Sequence, residues 1–131
     1  MRIAFFEIEN WEAEYIKKKL PGNEFFFTEK KINKDNLPEQ KNFDVISVFV
    51  GSEIKKEVID TFPNLKLIAT RSTGFDHIDA AYAKEKGILT AYIPGYGDNT
   101  VAEFAFALIL SLSRKIFEAY DRIKERGQFD F

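Results

Sequence analysis

The sequence predicts an α/β domain, a five-stranded parallel sheet with helices on both faces, followed by one long helix. Three observations carry this. Five short β-type runs alternate with charged, helix-type segments, the rhythm of a parallel sheet. The runs are continuously apolar, as strands covered on both faces are. From Asn99 the chain changes character and favours helix as far as Gly127.

Strands are expected in RIAFFEI (2 to 8), NEFFFTE (23 to 29), DVISVFV (44 to 50), LKLIAT (65 to 70) and GILTAYI (87 to 93), with the third and fourth central. Between them lie helix-type segments over 11–20, 52–62 and 79–86 and a weak polar stretch around 33–40 within the loose polar connection 31–42, each ending at or near a Pro or Gly. The last segment, NTVAEFAFALILSLSRKIFEAYDRIKERG, opens with a capping pattern, because Asn99 or Thr100 can accept an orphan N–H and Glu103 stands three residues after Thr100. Its first half is apolar nearly all round, so the helix must be covered on most sides. The organisation expected is a sheet domain over 1–98 and the long helix over 99–131.

The composition narrows the function. A chain of 131 residues that is 45% hydrophobic, with fourteen Phe, can bury a core as one domain. Nineteen basic and 21 acidic residues are interspersed, which argues against a nucleic-acid partner. The absence of Cys removes disulfide and thiol chemistry, and one His leaves no familiar metal-ligand spacing. The apolar run from Phe104 to Leu110 is far short of the ~20 residues that span a bilayer, and the start MRIAFFEIEN lacks a signal-peptide core. A cytoplasmic location, no metal and no membrane are the expectations.

Two loops can carry chemistry. RSTGFDHID, 71–79, follows the fourth strand, at the carboxyl edge where ligands of such sheets bind. Thr73 and Gly74, with Ser72 beside them, can present consecutive N–H groups to an anion, the glycine permitting close approach and an unusual backbone angle. The same residues also read as a plain turn, with Asp79 capping the next helix and Gly87 ending it. His77 is read as a packing or hydrogen-bonding residue and not as a general base, since no nucleophile accompanies it. Arg71 can clamp a carboxylate or serve as a structural ion-pair member. The second loop, IPGYGDNT (93 to 100), offers glycines and a helix start to a polar group, but its spacing is neither GxGxxG nor a P-loop.

Taken in order, FPNLKLIATRSTGFDHIDAAYAKEKGILTAYIPGYGDNTVAEFAFALILSLSRKI (62 to 116) resembles the N-terminal half of D-isomer-specific 2-hydroxyacid dehydrogenases, most of all the D-lactate dehydrogenase branch. Residues 1 to 61 fit that family more loosely. The resemblance implies a flavodoxin-like substrate-binding domain, called catalytic in that family, working with a separate NAD-binding Rossmann domain. It implies that Thr73 and Gly74 hold the carboxylate of a small 2-oxo or 2-hydroxy acid through main-chain N–H groups. It places Thr100, with Asn99 beside it, near the NAD cofactor, and makes the long helix an interdomain helix.

The family's dinucleotide fingerprint, catalytic His, its Glu partner and its substrate-clamping Arg have no counterpart in these 131 residues. Arg71, His77 and Glu103 match other positions and are not substitutes. The expected catalytic residues in this chain are therefore none, and the chain alone is expected to be inactive. A homodimer through the apolar helix is expected. The competing reading is a stand-alone flavodoxin-like module that binds a small anion or regulates without catalysis. A receiver domain is disfavoured because the third strand ends in FVGSE, with no acceptor Asp.

Overall fold

The structure, a computed structural model, describes residues 1–128. Residues 129–131, the end of the expected long helix, lie outside the described residues. In chain order it runs β1 (Arg2–Phe6), α1 (Asn10–Lys19), β2 (Glu24–Thr28), β3 (Val45–Val48), α2 (Lys56–Ile59), β4 (Leu67–Thr70), α3 (Ala80–Glu85), β5 (Leu89–Ala91), α4 (Asp98–Ser113) and α5 (Ile116–Lys124). The chain divides into two compact units, Met1–Pro94 and the residues from Gly95.

In the first unit the five strands form one parallel sheet of order β2-β1-β3-β4-β5. That is the flavodoxin-like order, with its reversal between β1 and β3. Alternation along the strands builds two cores. On one face Ala4, Phe6, Ile46, Val48 and Ile68 pack with residues that include Val58 and Ile59 of α2 and Ala83 of α3. On the other, Ile3, Phe5 and Val45 pack with Ile8, Phe25, Phe27 and Ile16 of α1. Phe27 stacks on both Phe25 (5.3 Å) and Phe5 (5.4 Å), so the aromatic wealth of the sequence becomes a ladder across β1 and β2. Ile46 and Ile68 are fully buried at the sheet centre, each contributing about 1.5–3 kcal/mol by leaving water.

The expected parallel sheet with helices on both faces is found, and several local expectations are corrected. Coverage is incomplete at β5, where every residue is exposed and Leu89 is 71% accessible. The expected helix over 52–62 shrinks to the single turn of α2, because Ser52 is engaged with Glu7 and the Ile32 N–H and Ile54 makes an isolated parallel bridge to Ile78. The loose polar connection read over 31–42 is found as such, with Asn33 accepting from the Asp35 and Asn36 N–H groups in a side-chain-stabilised turn. Asp79 does cap α3, accepting from the Tyr82 N–H at 3.0 Å, and Gly87 ends it at φ +73°.

In the second unit the single long helix is not formed. α4 ends at Ser113, Lys115 turns left-handed (φ +51°), and α5 starts afresh at Ile116. The Ser113 hydroxyl donates back to the Leu110 carbonyl, and the Lys115 N–H reaches Leu112, tightening the last turn. The start also differs. Gly97 is the N-cap and Thr100 lies inside α4, so the Thr100–Glu103 capping box is absent. Val101, Phe104, Phe106, Ile109 and Leu112 of α4 are all more than half exposed. Among the described residues no helix is long and apolar enough to cross a membrane.

Candidate functional site

The reversal between β1 and β3 opens a crevice at the carboxyl edge of the sheet, the usual ligand position in this topology. Here it is filled by the chain's own Glu7. One carboxylate oxygen accepts from the Gly51 N–H at 2.8 Å; the other accepts from the Phe49 N–H at 3.1 Å and from the buried Ser52 hydroxyl. Ser52 in turn accepts from the Ile32 N–H at 3.1 Å. Glu7 reaches this position at φ +53°, a backbone region that side-chain-bearing residues rarely adopt.

The loop after β4 is the open counterpart. Thr73 is half-buried, Gly74 and Phe75 are exposed, and among the described residues none of their N–H groups has an acceptor. Beneath them Ser72 is buried, its hydroxyl donating to the Gly74 carbonyl at 2.8 Å. That fixes a chain of direction. With the Ser72 proton committed, Thr70 Oγ1 donates to Ser72 at 2.5 Å, and His77 Nε2, 3.1 Å away, is the donor to Thr70. Ser72 therefore holds the loop by its side chain, and His77 is a half-buried brace, as the sequence reading had it. The expectation of an unusual angle at Gly74 is corrected: Gly74 is not among the left-handed residues. A methyl at Gly74 would stand 3.4 Å from Asp76 Oδ1, an ordinary contact, so the chain's own packing leaves room for a side chain there.

The two loops lie side by side, tied at both ends. Arg71 N–H bonds Val48 at 3.0 Å before them, and the Ile54–Ile78 bridge joins them after. Lys55 Nζ adds a bond to the Asp76 carbonyl at 2.7 Å. Arg71 is engaged in the framework: its guanidinium donates to Ser47 Oγ (3.1 Å), the Phe6 carbonyl (2.9 Å) and the Glu7 carbonyl (2.6 Å). Burial lowers its pKa, opposed by the charges of Glu12 and Glu7. Its part in the framework is structural, but through hydrogen bonds to a hydroxyl and two carbonyls and not through the ion pair expected. Sequence reasoning put the loops near Glu7 and Gly51 beside the substrate side-chain pocket but not the contact between them, whose one local trace is a glutamate standing where a strand ends.

Asn99 and Thr100 occupy the first turn of α4, exposed, with N–H groups that precede the first intrahelical bond, from Val101 to Gly97. They belong to the second unit, and Ser72, Thr73 and Gly74 belong to the first. A hollow sits at the amino edge of the sheet, among Arg2, Glu24, Asn42, Asp44 and Lys66. Arg2 pairs with Glu24 there, and Lys66 with Asp44. Among the described residues no group of three His, Cys, Asp or Glu is placed to hold a metal.

Fold and site thus define an α/β domain with open main-chain N–H groups in the loop after β4, at the carboxyl edge of the sheet. Residues 3–125 match the family described as D-isomer specific 2-hydroxyacid dehydrogenase, catalytic domain, and the chain belongs to that family. It is 30% identical over 131 residues to a 2-hydroxyacid dehydrogenase homolog of Zymomonas mobilis, covering 97% of this chain and 40% of that protein. It is 45% identical over 87 residues to a glyoxylate reductase of Thermofilum pendens, covering 66% of this chain and 25% of that protein. Among solved structures, a D-lactate dehydrogenase of Aquifex aeolicus complexed with NAD and lactic acid superposes with a TM-score of 0.88 at 34% identity, covering 98% of this chain and 39% of that one. The chain spans about 40% or less of the length of these relatives.

Proposed function

We propose that this chain is the substrate-carboxylate-binding part of an NAD-dependent D-2-hydroxyacid dehydrogenase acting on a small, D-lactate-like acid. The observation that carries the reading is the contrast between adjacent loops. The N–H groups after β3 are filled by Glu7, whereas Thr73 and Gly74 keep theirs open on a braced loop. Two adjacent main-chain donors suit a carboxylate. The family membership and the NAD and lactic acid complex of the Aquifex relative support the substrate class and the cofactor.

Bound NAD would exchange a hydride with C2 of the acid. Asn99 and Thr100 are the residues of this chain proposed to face it. Asp98 stands in the same first turn, which disfavours a phosphate there and suits a hydroxyl or amide edge. A Rossmann domain is the proposed partner. These 131 residues hold no dinucleotide fingerprint and no general base within the anion loop, so the chain alone is inactive in this reading. The exposed apolar face of α4 supports a homodimer of the isolated chain.

NMR titration of the 131-residue protein with pyruvate tests the reading. The Thr73 and Gly74 amides should shift first, while NADH oxidation by the same sample stays at background. Shifts confined to other loops, or turnover by the pure chain, would reject it. A non-catalytic anion module, the alternative, would bind inorganic anions as well as pyruvate.

A further inference from the structure

We propose that Glu7 determines specificity, making the site select monocarboxylic over dicarboxylic 2-oxo acids. The inference rests on the reading that Thr73 and Gly74 take the first carboxylate.

In a sheet of this order the crevice between β1 and β3 is where a ligand group enters, and its donors are strong ones. Phe49 N–H, Gly51 N–H and the Ser52 hydroxyl converge on one anion. That anion is the side chain of Glu7. The arrangement is built for it: Glu7 holds a disfavoured backbone angle, and a side chain at Gly51 would collide with its oxygen at 2.5 Å. Because the 49–53 and 71–77 loops are laced at both ends, this filled site lies beside the open one, about one strand spacing away.

A diacid seated by one carboxylate on Thr73 and Gly74 brings its second to this neighbourhood. It finds the donors occupied and a like charge in place. Exclusion is thus by occupancy first and repulsion second, the repulsive element that discrimination between similar ligands needs. Arg71 does not reverse it, since three of its N–H contacts already go to Ser47, Phe6 and Glu7. A monocarboxylate such as pyruvate has no group to send there and is indifferent to Glu7.

The test is amide-shift titration of the 131-residue chain with pyruvate and with 2-oxoglutarate, for wild type, Glu7→Ala and Glu7→Gln. Wild type should bind 2-oxoglutarate on the order of tenfold more weakly than pyruvate. Glu7→Ala should close that gap to about twofold, with 2-oxoglutarate now shifting the Phe49 and Gly51 amides. Glu7→Gln, which keeps the shape and removes the charge, should fall between. The quantity read is the ratio of the two affinities within each protein, with pyruvate followed at the Thr73 and Gly74 amides. If Glu7→Ala loses spectral dispersion, Glu7→Gln carries the comparison. A gap absent from wild type, or unchanged in the folded variants, overturns the proposal. Failure of pyruvate itself to move Thr73 and Gly74 in wild type overturns the substrate-site reading and this inference with it.

Discussion

Glu7 and Gly51, 44 residues apart in sequence, define each other: the Gly51 N–H donates to Glu7 Oε1 at 2.8 Å, and a methyl at Gly51 would sit 2.5 Å from that oxygen. Gly51→Ala must displace a carboxylate pinned by three donors. We expect a loss of about 1–2 kcal/mol, read by urea denaturation. In a Glu7→Ala background the same substitution should cost a few tenths of a kcal/mol, and a purely additive double mutant would contradict the coupling.

Ser72→Ala removes a buried hydroxyl between Thr70 and the Gly74 carbonyl. It should lower stability by about 1–3 kcal/mol and loosen the anion loop. Amide exchange at Thr73 to Asp76 should accelerate while exchange in β1 and β3 stays slow. Uniform acceleration across the sheet would show that Ser72 supports the core and not the loop.

In an enzyme containing this chain, Gly74→Ala should raise KM for the 2-oxo acid about tenfold or more. The backbone at Gly74 accepts alanine, so the methyl acts on the ligand space and not on the fold. His77→Gln should raise KM by less than about threefold, because a side-chain N–H can still reach Thr70. The opposite ranking would return His77 to the reacting centre.

Asp60 and Lys86 give the stability profile two limbs. Lys86, with help from Tyr82, holds the Asp60 carboxyl below its ordinary 3.8, and Asp60 with Tyr82 holds Lys86 above its ordinary 10.5. A depressed carboxyl stabilises fully above 3.8 and loses that contribution as pH falls through its lower folded value. A raised ammonium stabilises fully below 10.5 and loses it as pH rises through its higher folded value. Asp60→Asn should therefore flatten thermal stability below pH 4 and above pH 10.5 together. The acid limb should not vanish, since Lys66 and the Arg2 N–H also depress Asp44.

The exposed apolar residues of α4 predict self-association of the isolated chain. Size-exclusion chromatography with light scattering should report a dimer, and Phe104→Glu with Leu112→Glu should give a monomer with unchanged urea stability. A wild-type monomer at high concentration would remove this expectation.

The strand rhythm, the Asp79 cap and the Gly87 stop were legible because each is a local pattern: a period, a side chain two or three residues from its partner, a residue that alone suits a positive φ. The ordered motifs from 62 to 116 pointed to the family for the same reason, since they are contiguous. Local patterns also misled. Thr100 and Glu103 have the spacing of a capping box, yet the helix begins earlier, and nothing in SLSRKI announced the turn at Lys115.

What the sequence by itself determined is the sheet, its parallel character and the place of the loop after the fourth strand. What only the tertiary structure decided is which donors remain free. Glu7 meets Gly51 across 44 residues, and Arg71 meets the Phe6 carbonyl across 65. Such pairings come from register between strands, which places chain ends a few ångströms apart and leaves no periodic trace. The open row at Thr73 and Gly74 is defined by that closure, because the same main-chain chemistry one strand over is already satisfied.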